Sequence, residues 1–167
     1  MYILLFKPIK HQNVFMIFRW IIMLFSWSKY SHMARYDSEL VREMRGEGYQ
    51  EISLKQSLAT SKSRIHAYKV IKPIDEKKAK AYNKKMTGVK FDVKGALYSE
   101  AEKWKWSAWI FKRKANDKKV FCAEDSVEFF QDQELFPIIN ANLFSPQEAL
   151  ERFKKLGIIN SKYEVWK

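Results

Sequence analysis

The chain holds one cysteine, Cys122, and three histidines, His11, His32 and His66. His32 lies in "SKYSHMARYD" (Ser28 to Asp37), an alternating, strand-like run. Cys122 lies in "KKVFCAEDSVEFF", at the start of a helical pattern. A thiolate is a strong nucleophile, and a helix N-terminus or a neighbouring imidazole favours its formation. A general base must be held within reach of the proton it takes. Glu43 follows His32 on the next strand of a proposed hairpin, where a carboxylate can orient the ring and stabilise the imidazolium. Cys122, His32 and Glu43 are therefore the candidate catalytic residues. Each also has a plainer reading. Cys122 can be a buried thiol packed among Phe121, Phe129 and Phe130. His32 can be a half-exposed strand histidine, and Glu43 a surface glutamate. On local sequence alone the structural readings of Cys122 and His32 stand ahead. His66, in "RIHAYKV", is a competing base. His11, in a loop-like stretch, is the weakest.

Other chemistries find little support. The scattered histidines and single cysteine give no metal-ligand spacing, so no metal is expected. "TGVKFDVKG" is neither a P-loop nor a dinucleotide fingerprint, so no cofactor is expected. One cysteine cannot form an internal disulfide.

The elements that must position these residues follow from pattern. "YILLFK" (Tyr2 to Lys7) reads as a buried strand stopped by Pro8. Strands are expected over Tyr30–Tyr36, Glu39–Met44, "YQEISL" and "RIHAYKVI", with Asp37-Ser38 turning the first hairpin. Pro73 opens a helix over "IDEKKAKAYNKKM", whose charge order matches the helix dipole. Gly88 breaks it, and a second helix is expected over roughly residues 93 to 108. Phe121 to Gln131 forms a third, with Cys122 in its first turn. "SPQEALERFKKLG" carries Ser145 as N-cap, Pro146 at N1, Glu148 at N3 and Gly157 as stop. Short antiparallel strands with helices before and after make an α+β fold. The 167 residues read as a single domain, 1–167.

The net charge is +12. Residues 72–119 hold 15 basic and 6 acidic groups, a surface suited to an anionic partner. "KWKWSAWIFKRK" interleaves Trp104, Trp106 and Trp109 with cations, which suits an interface or nucleic acid. Core tryptophans beneath solvent-facing lysines is the slightly preferred reading, and nucleic acid is not the favoured partner. "VFMIFRWIIMLFSW" (Val14 to Trp27) is too short to span a bilayer and contains Arg19. No small-x-small cleavage site follows it. It is expected to be a core helix from about residue 13 to 26, capped by Asn13, with no transmembrane span.

The order of these motifs resembles the circularly permuted branch of the NlpC/P60 papain-like superfamily, in which histidine precedes cysteine. "SKYSHMARY" resembles the family's Ser-x-x-Ser-His-hydrophobic strand. "LVREMRGEGYQEISL" is similar to its next strand and turn, and "TGVKFDVKGAL" to its aromatic-Asp-x-x-Gly segment. "VFCAEDSVEFFQ" resembles its Phe-Cys-Ser-Glu helix start, and "NLFSPQEALERF" its Ser/Thr-Pro helix. The likeness runs from Tyr2 to about Gly157, and Ala123 departs from the usual serine. It implies a permuted papain-like fold, a small antiparallel sheet or partial barrel packed against helices. It also implies a thiol hydrolase with Cys122 as nucleophile, His32 as base and Glu43 as the orienting residue. The substrate would carry an amide, ester or thioester, as in a peptidoglycan peptide or a lipid. A cytoplasmic or virion-associated location is expected. The competing expectations are a non-catalytic papain-like module of a phage or virus, and a basic nucleic-acid-binding domain. For the enzyme, Cys122 and His32 are expected within about 4 Å of one another in an open cleft.

Overall fold

The computed structural model describes residues 1–8, 29–61, 63–92 and 119–167. Among them eight strands and four α-helices form an α+β architecture. The strands are β1 (Tyr2–Pro8), β2 (His32–Tyr36), β3 (Leu40–Arg45), β4 (Gly48–Ser53), β5 (Ser63–Lys69), β6 (Lys90–Phe91), β7 (Lys119–Val120) and β8 (Glu164–Val165). The helices are α1 (Leu54–Thr60), α2 (Glu76–Met86), α3 (Cys122–Asp132) and α4 (Pro146–Lys155). Six strands make an antiparallel sheet in the order β4-β3-β2-β1-β5-β8, and β6 pairs with β7 in parallel. The expected helices over residues 13–26 and 93–108 lie outside the described residues, as do His11, Trp104, Trp106 and Trp109.

β1 is central, between β2 and β5, and its "ILLF" run is buried on both faces. Ile3 and Leu5 join Met33, Met44 and Tyr68 against Val127, Phe129 and Phe130 of α3 and Phe153 of α4. Leu4 and Phe6 point the other way, with Ala34, Val41, Ile65 and Ala67, beneath Leu54, Leu58 and Trp166. Two covered faces explain a continuous apolar run where a one-sided strand would alternate.

The hairpin that brings β3 to β2 is set by its turn. Asp37 Oδ1 accepts from the backbone N–H of Glu39 (3.3 Å) and Leu40 (3.1 Å), and Ser38 takes a left-handed φ of 82°. An Asx turn of this kind supplies the reversal without glycine. Asp37 also pairs with Arg42 across the hairpin.

Two helix starts differ from one another in how well pattern located them. α4 has the expected box: Glu148 N–H donates to Ser145 Oγ, and Ser145 N–H donates to Glu148 Oε2 at 2.9 Å. α2, by contrast, is not opened by Pro73. It starts at Glu76, because Asp75 is the cap and accepts from the N–H of Lys77 (2.8 Å) and Lys78 (3.1 Å). A carboxylate cap satisfies two orphan donors, which a preceding proline cannot do.

Gly48 opens β4 with φ +115°, and a Cβ there would lie 2.5 Å from the Val89 carbonyl oxygen. That oxygen accepts from Tyr49 N–H at 3.0 Å. The close approach seats β6 beside β4, and β6 pairs with β7, the strand that runs directly into α3 and Cys122. Gly48→Ala should therefore destabilise the fold by about 1–3 kcal/mol, from strain and the lost approach. Urea denaturation would measure it; unchanged stability would mean that β6 is not held this way.

Candidate active site

His32 is the first residue of β2, and Cys122 is the first residue of α3. The ladder between β2 and β3 is paired at Arg35–Arg42 and Tyr36–Val41, further along β2. His32 Nε2 lies 2.7 Å from Glu43 Oε2, so the hairpin brings imidazole and carboxylate together as expected. Glu43 is fully buried. Nε2 is thus engaged by Glu43, and Cys122 lies close enough to influence the protonation of the ring. The ring also packs against Phe6, with centroids 5.0 Å apart.

These contacts set the charge of the imidazole. Burial alone would push it toward the neutral form. The Cys122 sulfur, by charge and hydrogen bond, and then the Glu43 carboxylate outweigh burial and raise His32 to about 9. Glu43 moves the opposite way. Burial raises it, but His32 and Arg45 together hold it below the usual carboxylate range. The net balance favours the protonated imidazole. The sequence expectation of an open cleft is not met among the described residues: Cys122 is 6% and His32 9% exposed. A cleft of about 520 Å³ lies instead beside Arg35, Arg42, Lys72, Lys80, Asn83 and Phe129, and none of the three residues lines it.

Cys122 is aimed by its helix. Asp125 N–H donates to the Phe121 carbonyl at 3.0 Å, the first helical bond of α3. Phe121 N–H donates to Glu124 Oε2 at 3.2 Å, the returning half of a capping box. N–H groups of a first turn have no intrahelical acceptor and point out of the helix. The Cys122 N–H is one of these first-turn donors of α3. Ala123, where the family resemblance leads one to expect serine, is fully buried and packs with Phe121 and Phe91.

A second buried connection holds α3 to β2. Arg35 donates through Nε (3.2 Å) and Nη2 (3.0 Å) to the two carboxylate oxygens of Asp125, and through Nη1 to Asn83 Oδ1 (3.1 Å). Tyr82 OH donates to the Asp125 carbonyl oxygen at 3.0 Å. The guanidinium carbon sits 4.3 Å from the Phe129 ring centroid. Sequence reasoning missed this bridge, since neither residue stands out from the surrounding charge.

His66, the competing base, is committed elsewhere. Its Nδ1 lies 2.9 Å from Tyr30 OH, and its ring stacks on Tyr163 at 4.1 Å. Burial, then the charges of Lys7 and Arg64, push it below the ordinary histidine value. No group of three or more metal-ligating side chains occurs among the described residues, and no described helix is long and apolar enough to cross a membrane. No protein-family model matches the sequence, and comparison with curated proteins finds no match.

Two outcomes test this geometry. In an NMR titration, His32 should titrate near 9, and its midpoint should fall in Cys122→Ala, because the sulfur is the largest raising influence; an unmoved midpoint would separate the two residues. Asp125→Asn should cost about 3–5 kcal/mol in chemical denaturation, since it leaves the buried Arg35 charge without its counter-ion.

Proposed function

We propose that this chain is a thiol hydrolase, an amidase, peptidase or acyl hydrolase, built on a circularly permuted NlpC/P60 papain-like fold. The observation that carries the proposal is the position of His32, hydrogen-bonded to buried Glu43 at 2.7 Å and coupled to the Cys122 thiol. The antiparallel sheet against α3, with the histidine strand ahead of the cysteine helix in sequence, is consistent with that fold.

In the mechanism, His32 takes the Cys122 proton and Glu43 stabilises the resulting imidazolium. The thiolate attacks the carbonyl carbon of an amide, ester or thioester. The Cys122 N–H at the start of α3 donates to the developing oxyanion. His32 then returns the proton to the leaving amine, alcohol or thiol, forming an acyl-enzyme. Water, deprotonated by His32, attacks the acyl carbon and releases the acid and the free thiol. Peptidoglycan peptides and lipid acyl groups are the substrate classes to screen first, with the basic 72–119 segment as the contact for an anionic surface.

A second reading, a non-catalytic papain-like module, has one observation in its favour: the near-complete burial of Cys122 and His32. An electrophilic probe separates the two. Chloroacetamide should label Cys122 selectively near neutral pH, and labelling should drop by at least about tenfold in His32→Ala, the scale of a lost general base. Labelling that ignores His32 would leave the non-catalytic module standing.

A further inference from the structure

Glu43 has two carboxylate oxygens and no exposure to water. His32 meets one of them. The other, Oε1, lies 2.8 Å from Arg45 Nη2, as a close charge contact and not a well-aligned hydrogen bond. Arg45 is two residues along β3, so it projects from the same side of the strand. Its side chain is 31% exposed, a link between the buried carboxylate and solvent. Its other terminal nitrogen, Nη1, donates to Thr60 Oγ1 at 3.4 Å, and that hydroxyl donates to the Gln56 carbonyl oxygen at 2.9 Å. The C-terminal turn of α1 therefore holds the guanidinium in place.

A buried carboxylate facing a single imidazole has one oxygen satisfied and one not, and the unsatisfied oxygen favours protonation or rotation. Resting on the hydrolase reading above, we infer that Arg45 is the positioning residue of the Cys122–His32–Glu43 assembly, gripping Oε1 so that Oε2 is presented to the imidazole as a fixed, charged acceptor. Arg45 acts through Glu43.

The surrounding charges leave this task to Arg45. On β2 the ionisable neighbour is His32 itself, since Arg35 is engaged with Asp125. On β4 the residue opposite Glu43 is the neutral Gln50, and Glu51 pairs with Arg42. From α3 come Cys122, Glu124, which caps the helix, and Asp125, which is neutralised by Arg35. From β6 and the residue after it come Lys90, exposed, and Asp92, buried. α1 adds Lys55, exposed. The groups that pull the Glu43 carboxyl down are His32 and Arg45.

The test is the pH profile of Cys122 alkylation by iodoacetamide in the full chain, which needs no knowledge of the substrate. Without the cation, Glu43 takes a proton at higher pH and the imidazolium loses its counter-charge sooner as pH falls. In Arg45→Met and in Arg45→Gln the acid limb should therefore move to higher pH, with a severalfold lower rate on that limb. Arg45→Lys, which keeps the charge, should restore most of the wild-type profile. If Arg45→Gln superimposes on wild type while His32→Ala still abolishes labelling, Arg45 has no such role and the hydrolase reading survives. If His32→Ala leaves labelling unchanged, the hydrolase reading fails and this inference falls with it.

Discussion

The Arg35–Asp125 bridge is the contact on which the site depends. It joins the strand that carries His32 to the helix that carries Cys122, with Arg35 and Asp125 three positions beyond those two residues. Two parallel hydrogen bonds from a planar fork fix both distance and rotation, which a single bond or an apolar contact cannot do. The bridge fixes the seat of α3 on the face of β2 that Arg35 presents.

Such a bridge is stable only because nothing polar in it is left over. Both charges are buried, and desolvating them is costly unless every donor finds an acceptor. Asn83 takes the remaining guanidinium nitrogen, Tyr82 reaches the Asp125 region through its hydroxyl, and Phe129 covers the guanidinium face. β2 thus carries two buried charge systems on opposite faces. Arg35 faces the helix layer, and His32 shares the side of Phe6 and Glu43. The strand is pinned from both sides.

Much of this was legible in the sequence, for reasons of scale. β1, β2, β3 and β5 announce themselves by β-branched, aromatic and alternating residues, and α4 by its Ser145–Glu148 box. The His32–Glu43 contact follows from a hairpin closed by Asp37-Ser38, a local feature. α1 was missed although Ser53 accepts from Gln56 N–H, three residues on; its seven residues are too few for an apolar stripe to show. β6, β7 and β8 span two residues each and exist only through pairing, so no periodicity could reveal them. The Arg35–Asp125 bridge and the Arg45 grip on Glu43 were invisible because they join distant or unremarkable charges. The enclosure of Cys122 and His32 was also hidden, since burial is a property of packed elements and not of "VFCAED" or "YSHMA" alone.

The sheet order has a kinetic consequence. Arg35 and Asp125 are 90 residues apart in sequence, and β1, the strand beside β2, pairs on its other side with β5. Contacts of this separation form late, after the entropy of closing long loops has been met. During synthesis the histidine hairpin can form from local residues alone, while the cysteine helix has no partner until it emerges and docks. The imidazole and the sulfur are therefore kept apart until the last large loop closes. Burial of Cys122 would then report completed folding, and a chain stalled before α3 docks would hold its hairpin with the thiol still exposed.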